Sequence, residues 1–97
     1  MNYSVVIPTH NRPDFLENAI RSVFNQNIRP REIIVVDDMG LIVVENLIKR
    51  LIKEFSFKIQ YIISDSKNGV SYSYNLGVSK VKADYLAFLD DDDFWGK

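Results

Sequence analysis

A chain of 97 residues with 46% hydrophobic and 12% aromatic side chains has room for one core and none for a second domain. Its formal net charge of -1 supplies no overall positive field to draw the chain to nucleic acid, so no nucleic-acid partner is expected and any anionic ligand is left to local groups. The absence of cysteine removes disulfides, thiolate nucleophiles and zinc-thiolate sites.

The N-terminus enters a strand-like segment without a charged leader, and no apolar run approaches the roughly 20 residues that span a bilayer. A cytoplasmic location and no membrane segment in this chain are the expectations. Ser4-Val5-Val6-Ile7, largely β-branched and closed by Pro8, predicts a buried strand running into a loop, Thr9-His10-Asn11-Arg12. Pro13 suits the first turn of a helix that continues through Asn25, with Phe15, Leu16, Ala19, Ile20, Val23 and Phe24 at helical spacing. Ile33 to Val36 reads as a second buried strand and stops at Asp37-Asp38. Leu41 to Phe55 reads as a second helix, with Leu47, Ile48, Leu51, Ile52 and Phe55 on one face and Lys49, Arg50 and Lys53 off it.

A third strand is expected over Lys58 to Ile63, followed by the polar stretch Ser64 to Gly69. Val70 to Val81 carries a weaker helical pattern interrupted by Gly77. Tyr85 to Leu89 is the fourth strand and feeds Asp90-Asp91-Asp92-Asp93. Alternating strands and helices on short loops predict right-handed crossovers and an α/β fold, a Rossmann-like parallel sheet of about four strands in the order 3-2-1-4. Ligands of such sheets bind outside the carboxyl ends of the strands, near the switch in strand order. Every strand here ends in polar residues, so those clusters are expected on one edge.

Four carboxylates directly after an apolar strand repel one another unless water, a helix N-terminus or a cation relieves them. Hard oxygen ligands suit Mg²⁺ or Mn²⁺, which fills its octahedron with phosphate oxygens and water. An acidic turn capping a helix that starts near Phe94 is the alternative. Of Asp37-Asp38, one carboxylate could accept hydrogen bonds from a base or ribose while the other caps a loop, or both could serve a structural turn. Asn68-Gly69 is first a turn signal, with glycine also permitting close backbone approach to a ligand. His10 is the single histidine and reads as lining a pocket rather than acting as a base. Neither a glycine-rich dinucleotide fingerprint nor a P-loop is present.

In this order the motifs resemble glycosyltransferase family 2. Its members open with a strand and a Pro-Thr/Ala-x-Asn segment, matched by Ser4 to Arg12. A helix ending in Ser-Val/Leu-x-x-Gln follows, matched by Ser22 to Gln26, and then a Glu-Ile-Ile-Val-Val-Asp-Asp strand, matched by Glu32 to Asp38. Asn-x-Gly is matched by Asn68-Gly69 with one residue fewer, and Tyr-Leu-x-Phe-Leu-Asp-x-Asp-Asp by Tyr85 to Asp93.

The resemblance implies the front half of a GT-A fold, residues 1–97 being the portion that binds a nucleoside-diphosphate sugar, a UDP-sugar above all, through Mn²⁺ or Mg²⁺. Carried over by position, Pro8, Thr9 and His10 border the base, Asp38 bonds it, and Asp91 approaches the ribose or diphosphate. Asn11, Arg12, Asn68, Gly69 and Asp90 complete the expected nucleotide-sugar site, with Asp92 and Asp90 at the metal. The family's acidic catalytic base lies beyond the metal motif with the acceptor-binding half, so no catalytic residue is expected in this chain. By itself it is then expected to be inactive, and to pair with another copy through the outer edge of the fourth strand. Met39-Gly40 and Ser73-Tyr74-Asn75 depart from the family's Gly-Ser and Ala-Arg-Asn segments. Two other readings stay open: a phosphoacceptor receiver domain, which also uses Mg²⁺, and a non-catalytic nucleotide-binding module.

Overall fold

The computed structural model describes residues 3–37, 40, 42–63 and 85–90. Four strands, β1 (Tyr3–Thr9), β2 (Glu32–Asp37), β3 (Ile59–Ile63) and β4 (Tyr85–Phe88), form one parallel sheet in the order β3-β2-β1-β4. The expected order is therefore the observed one. Its cause is chain geometry: a right-handed crossover from β1 to β2 and another from β2 to β3 step the chain in one direction. β4 then returns to the free side of β1.

Because both crossovers share a hand, helices α1 (Pro13–Phe24) and α2 (Ile42–Phe55) lie on one face of the sheet. Between them and the sheet sits the main core, which includes Val5, Ile7, Ile33 and Val35 from the strands and Leu16, Ile20, Ile48 and Leu51 from the helices. Val6, Ile34 and Val36, at the alternate strand positions, form a second cluster on the opposite face. Burial on both faces is why β1 and β2 read as unbroken β-branched runs rather than as alternating ones.

Pro13 occupies the first turn of α1, where its missing N–H costs nothing, and Asp14 adds a negative charge at the positive end of the helix dipole. At the other end Gln26 Nε2 donates to the Ser22 carbonyl at 3.2 Å and Arg29 Nε to the Phe24 carbonyl at 3.1 Å. Those bonds satisfy carbonyls that the helix itself leaves open. The expected apolar stripe needs trimming at its margins: Phe15 is 54% exposed and Ile52 37%. Leu16, Ala19, Ile20 and Val23 already fill the arc facing the sheet, and Phe15 lies about 40° beyond its edge at Ala19.

Polar contacts join the two helices. Arg21 reaches Glu54 with both terminal nitrogens, at 2.7 and 3.1 Å, and Glu17 with Nε at 2.9 Å, while Arg50 meets the other oxygen of Glu17 at 2.8 Å. At the amino edge of the sheet the Ser4 hydroxyl donates to Glu32 at 2.9 Å, and the Lys58 ammonium stands 3.7 Å from the other carboxylate oxygen. Glu32 is fully buried despite its charge. No helix among the described residues is long and apolar enough to cross a membrane.

Candidate functional site at the carboxyl edge of the sheet

In a parallel sheet all carboxyl ends point the same way, so Thr9, Asp37, Ile63 and the exit of β4 share one edge. β1 runs two residues further than expected. It pairs with β2 through Pro8–Val36 and Thr9–Asp37, so Pro8 lies inside the strand instead of ending it.

The reason is the side on which the proline nitrogen falls. The Leu89 N–H donates to the Val6 carbonyl at 3.1 Å, which puts the backbone groups of Val6, and of Pro8 two residues on, toward β4. The next ladder bond would run from position 8 to the Leu89 carbonyl, and proline has no N–H to make it. Among the described residues the β1–β4 pairing accordingly ends at Val6–Phe88, while β1 continues alongside β2. A proline thus withholds a ladder bond where strand order reverses, the place at which open α/β sheets receive ligands.

Several of the expected site residues that the structure describes lie next to that point in the chain or on the same sheet edge. Thr9 is 4% exposed and held between neighbours, whereas His10, Asn11 and Arg12 form the exposed connection to α1. Asn11 has a φ of +50°, a left-handed conformation that asparagine tolerates better than most residues. The Arg12 carbonyl accepts the Leu16 N–H at 2.9 Å, which fixes the loop to the first turn of α1. On the β4 side, Leu89 is buried and anchors the exit of the strand, and Asp90 beside it is exposed.

Asp37 divides the acidic pair. It is fully buried, and the Tyr61 hydroxyl of neighbouring β3 donates to its Oδ2 at 2.6 Å. Burial first, then the bond to Asp37 and the charges of Asp37 and Glu45, push the Tyr61 phenol far above its ordinary value. Tyr61 is therefore a permanent donor at any working pH. Sequence reasoning missed this pair. The signal was strand parity: Asp37 aligns with Ile63, so Tyr61, two residues earlier, points to the same face. Beyond β2, Gly40 has a φ of +69°, and a Cβ placed there would lie 3.1 Å from Cγ2 of Ile63, so both conformation and space call for glycine at that turn.

Asp38, Asn68, Gly69, Asp91 and Asp92 lie outside the described residues, as does the helix expected over Val70 to Val81. Among the described residues no three His, Cys, Asp or Glu side chains gather to hold a metal. Asp90 alone of the expected ligands is described there, an exposed carboxylate on the ligand-receiving edge. That donor chemistry fits a hard dication that takes one or two carboxylates and completes its shell with phosphate oxygens and water. A separate groove of about 360 Å³ between α1 and α2 is lined by Pro13, Asp14, Glu17, Val43, Asn46, Leu47 and Arg50, and by none of the strand-end residues.

Comparison with known proteins agrees with this fold. The sequence profile described as glycosyl transferase family 2 matches residues 4–97. A GalNAc(5)-diNAcBac-PP-undecaprenol beta-1,3-glucosyltransferase of Campylobacter jejuni is 36% identical over 91 residues, covering 93% of this chain and 29% of the relative. The putative teichuronic acid biosynthesis glycosyltransferase TuaG of Bacillus subtilis is 29% identical over 94 residues, covering 97% of this chain and 37% of its own length. The chain thus spans roughly a third of these relatives. Among solved structures, the mannosyltransferase PcManGT from Pyrobaculum calidifontis in complex with GDP-Man and Mn²⁺ superposes with a TM-score of 0.86 at 18% identity, over 98% of this chain and 28% of that one. S. aureus TarS 1–349 in complex with UDP-GlcNAc gives 0.78 at 22%, over 97% and 27%. At such identities these structures speak for the fold, while the profile match over nearly the whole length decides the family: the chain belongs to glycosyl transferase family 2.

Proposed function

We propose that this chain is the donor-binding portion of a glycosyltransferase, receiving a nucleoside-diphosphate sugar at the carboxyl edge of the sheet for transfer to an acceptor. The observation that carries the reading is the break in the β1–β4 ladder at Pro8, with Thr9, His10 and Arg12 on one side and Asp90 on the other. That break lies at the switch in strand order, and the residues on its two sides differ in charge and donor type. Thr9 to Arg12 offer a hydroxyl, an imidazole, an amide and a guanidinium to a base and ribose, and Asp38 supplies a hydrogen-bond acceptor for the base. Asn68 and Gly69 let backbone approach the ligand.

Asp91 would approach the ribose or diphosphate, and Asp92 with Asp90 would hold Mn²⁺ or Mg²⁺. A dication bound there would neutralise diphosphate charge as the sugar departs. The charge balance supports its need: carboxylates and diphosphate repel each other, and a bridging dication reverses the sign of that interaction. The occurrence of GDP-Man with Mn²⁺ in PcManGT, and of UDP in TarS, supports a nucleoside diphosphate as the ligand class. A uridine donor is our first choice. None of these residues is assigned the task of activating the acceptor.

Calorimetric titration of the chain with UDP and with GDP, each with Mn²⁺ and again with a chelator, tests the reading. Binding of one nucleotide that vanishes on chelation is expected. No binding of either nucleotide under any metal condition would end it.

A further inference from the structure

We propose that Tyr61 is a positioning residue for the nucleotide site, acting through Asp37 from a strand that the nucleotide does not touch. The inference rests on the proposed nucleotide binding and names a part of the protein responsible for its strength.

Asp37 is the last residue of β2, aligned with Thr9 of β1, and precedes in sequence the carboxylate assigned to the base. It is fully buried and thus removed from direct contact with a ligand at the surface. A buried carboxylate is costly unless hydrogen-bonded, and a hydroxyl bond to an ionised acceptor at 2.6 Å is short and strong. It ties the end of β2 to β3, whose last residue, Ile63, lies so near Gly40 that a Cβ added there would stand 3.1 Å from its Cγ2. Asp37 and Gly40, the described residues on either side of Asp38 and Met39, are thus each constrained by β3, one through the Tyr61 bond and the other by the lack of room for a side chain. Rigid support of this kind sets how well a site is preorganised for its ligand. Tyr61 is suited to the task because its rest-state phenol keeps its proton, so the bond has one polarity throughout the working range.

The test is a double-mutant cycle on the chain, with UDP and GDP titrated in the presence of Mn²⁺ and the folded fraction of each variant checked by circular dichroism. Tyr61→Phe deletes the hydroxyl and keeps the ring, and its affinity is expected to fall about fivefold, the scale of one charge-assisted bond partly transmitted. Once Asp37 is Asn, adding Tyr61→Phe should change affinity by less than about twofold, since the hydroxyl acts through that carboxylate. A merely structural tyrosine would lower the melting temperature while leaving the affinity of the folded protein unchanged, and that result overturns the proposal. Should Tyr61→Phe fail to fold, Asp37→Asn alone carries the test, with a similar loss expected and unchanged affinity contradicting it. If the parent binds neither nucleotide, the proposed function fails and takes this inference with it. If the parent binds and Tyr61→Phe binds equally, the inference alone fails.

Discussion

Pro8→Val restores an N–H at the point where the β1–β4 ladder stops, aimed at the Leu89 carbonyl. One further ladder bond contributes about 1 kcal/mol. Losing proline gives freedom back to the unfolded chain and costs about 0.4 to 1 kcal/mol. The two nearly cancel, so the melting temperature should move by no more than about 5 °C. The geometric effect is not small. A bonded pair would hold the strands about 4.8 Å apart beyond Val6–Phe88 and leave less room for a ligand between Thr9 and Asp90. Nucleotide affinity should then drop at least about tenfold, equivalent to about 1.4 kcal/mol. The assay combines thermal unfolding, calorimetric titration of UDP with Mn²⁺, and hydrogen exchange of the new amide at position 8. Protection of that amide with undiminished affinity would refute the assignment of the ligand to this break in the ladder. An unprotected amide would refute the explanation of why the ladder ends.

Two further outcomes follow from packing and charge. Leu51 is fully buried between α2 and the sheet, so Leu51→Ala should cost about 2 to 5 kcal/mol in denaturant unfolding, whereas Phe15→Ala, at an exposed site, should stay within about 0.5 kcal/mol. The Arg21 guanidinium holds the Glu54 carboxyl below its ordinary 4.5, so this pair stabilises the protein above that pH and the contribution is lost as pH falls through the lowered value. Glu54→Gln should flatten that acid limb of the urea midpoint against pH; an unchanged limb would show the pair to be without thermodynamic effect.

Much of the fold can be read from residue order. The runs Val5-Val6-Ile7 and Ile33 to Val36 demand burial on both faces, and the helices between them leave a parallel sheet as the consistent arrangement. The same double burial hides the finer features. A strand covered on both faces has no alternation, so nothing in Ile33-Ile34-Val35-Val36-Asp37-Asp38 tells which aspartate turns inward. Asp37 is buried, where β3 lies beside it and brings the Tyr61 hydroxyl, a non-local pairing outside the reach of local pattern. Pro8 was misplaced for a related reason. Proline ends a strand only where its missing N–H falls in a ladder, and here it breaks one ladder and spares the other, a distinction that depends on the neighbours. Glu32, charged yet buried, shows the same dependence: its partners Ser4 and Lys58 lie on β1 and just before β3. The acidic strand exits were legible as a candidate site because charge on a buried strand needs a reason. Their ligand was not, because donor chemistry fixes a class of cation and a class of anion, and no single sugar.

The central claim is that a dication held by the acidic exit of β4 joins this chain to a nucleoside diphosphate. The most direct measurement is calorimetric titration of UDP, with Mn²⁺ and with chelator, on the parent, Asp92→Asn and Asp93→Asn. Asp92→Asn preserves shape and removes a charged oxygen ligand, so it should abolish the metal-dependent binding, while Asp93→Asn should stay within about threefold of the parent because that position is assigned to the start of a following helix. Equal binding in chelator, or an Asp92→Asn variant that binds like the parent, would contradict the account.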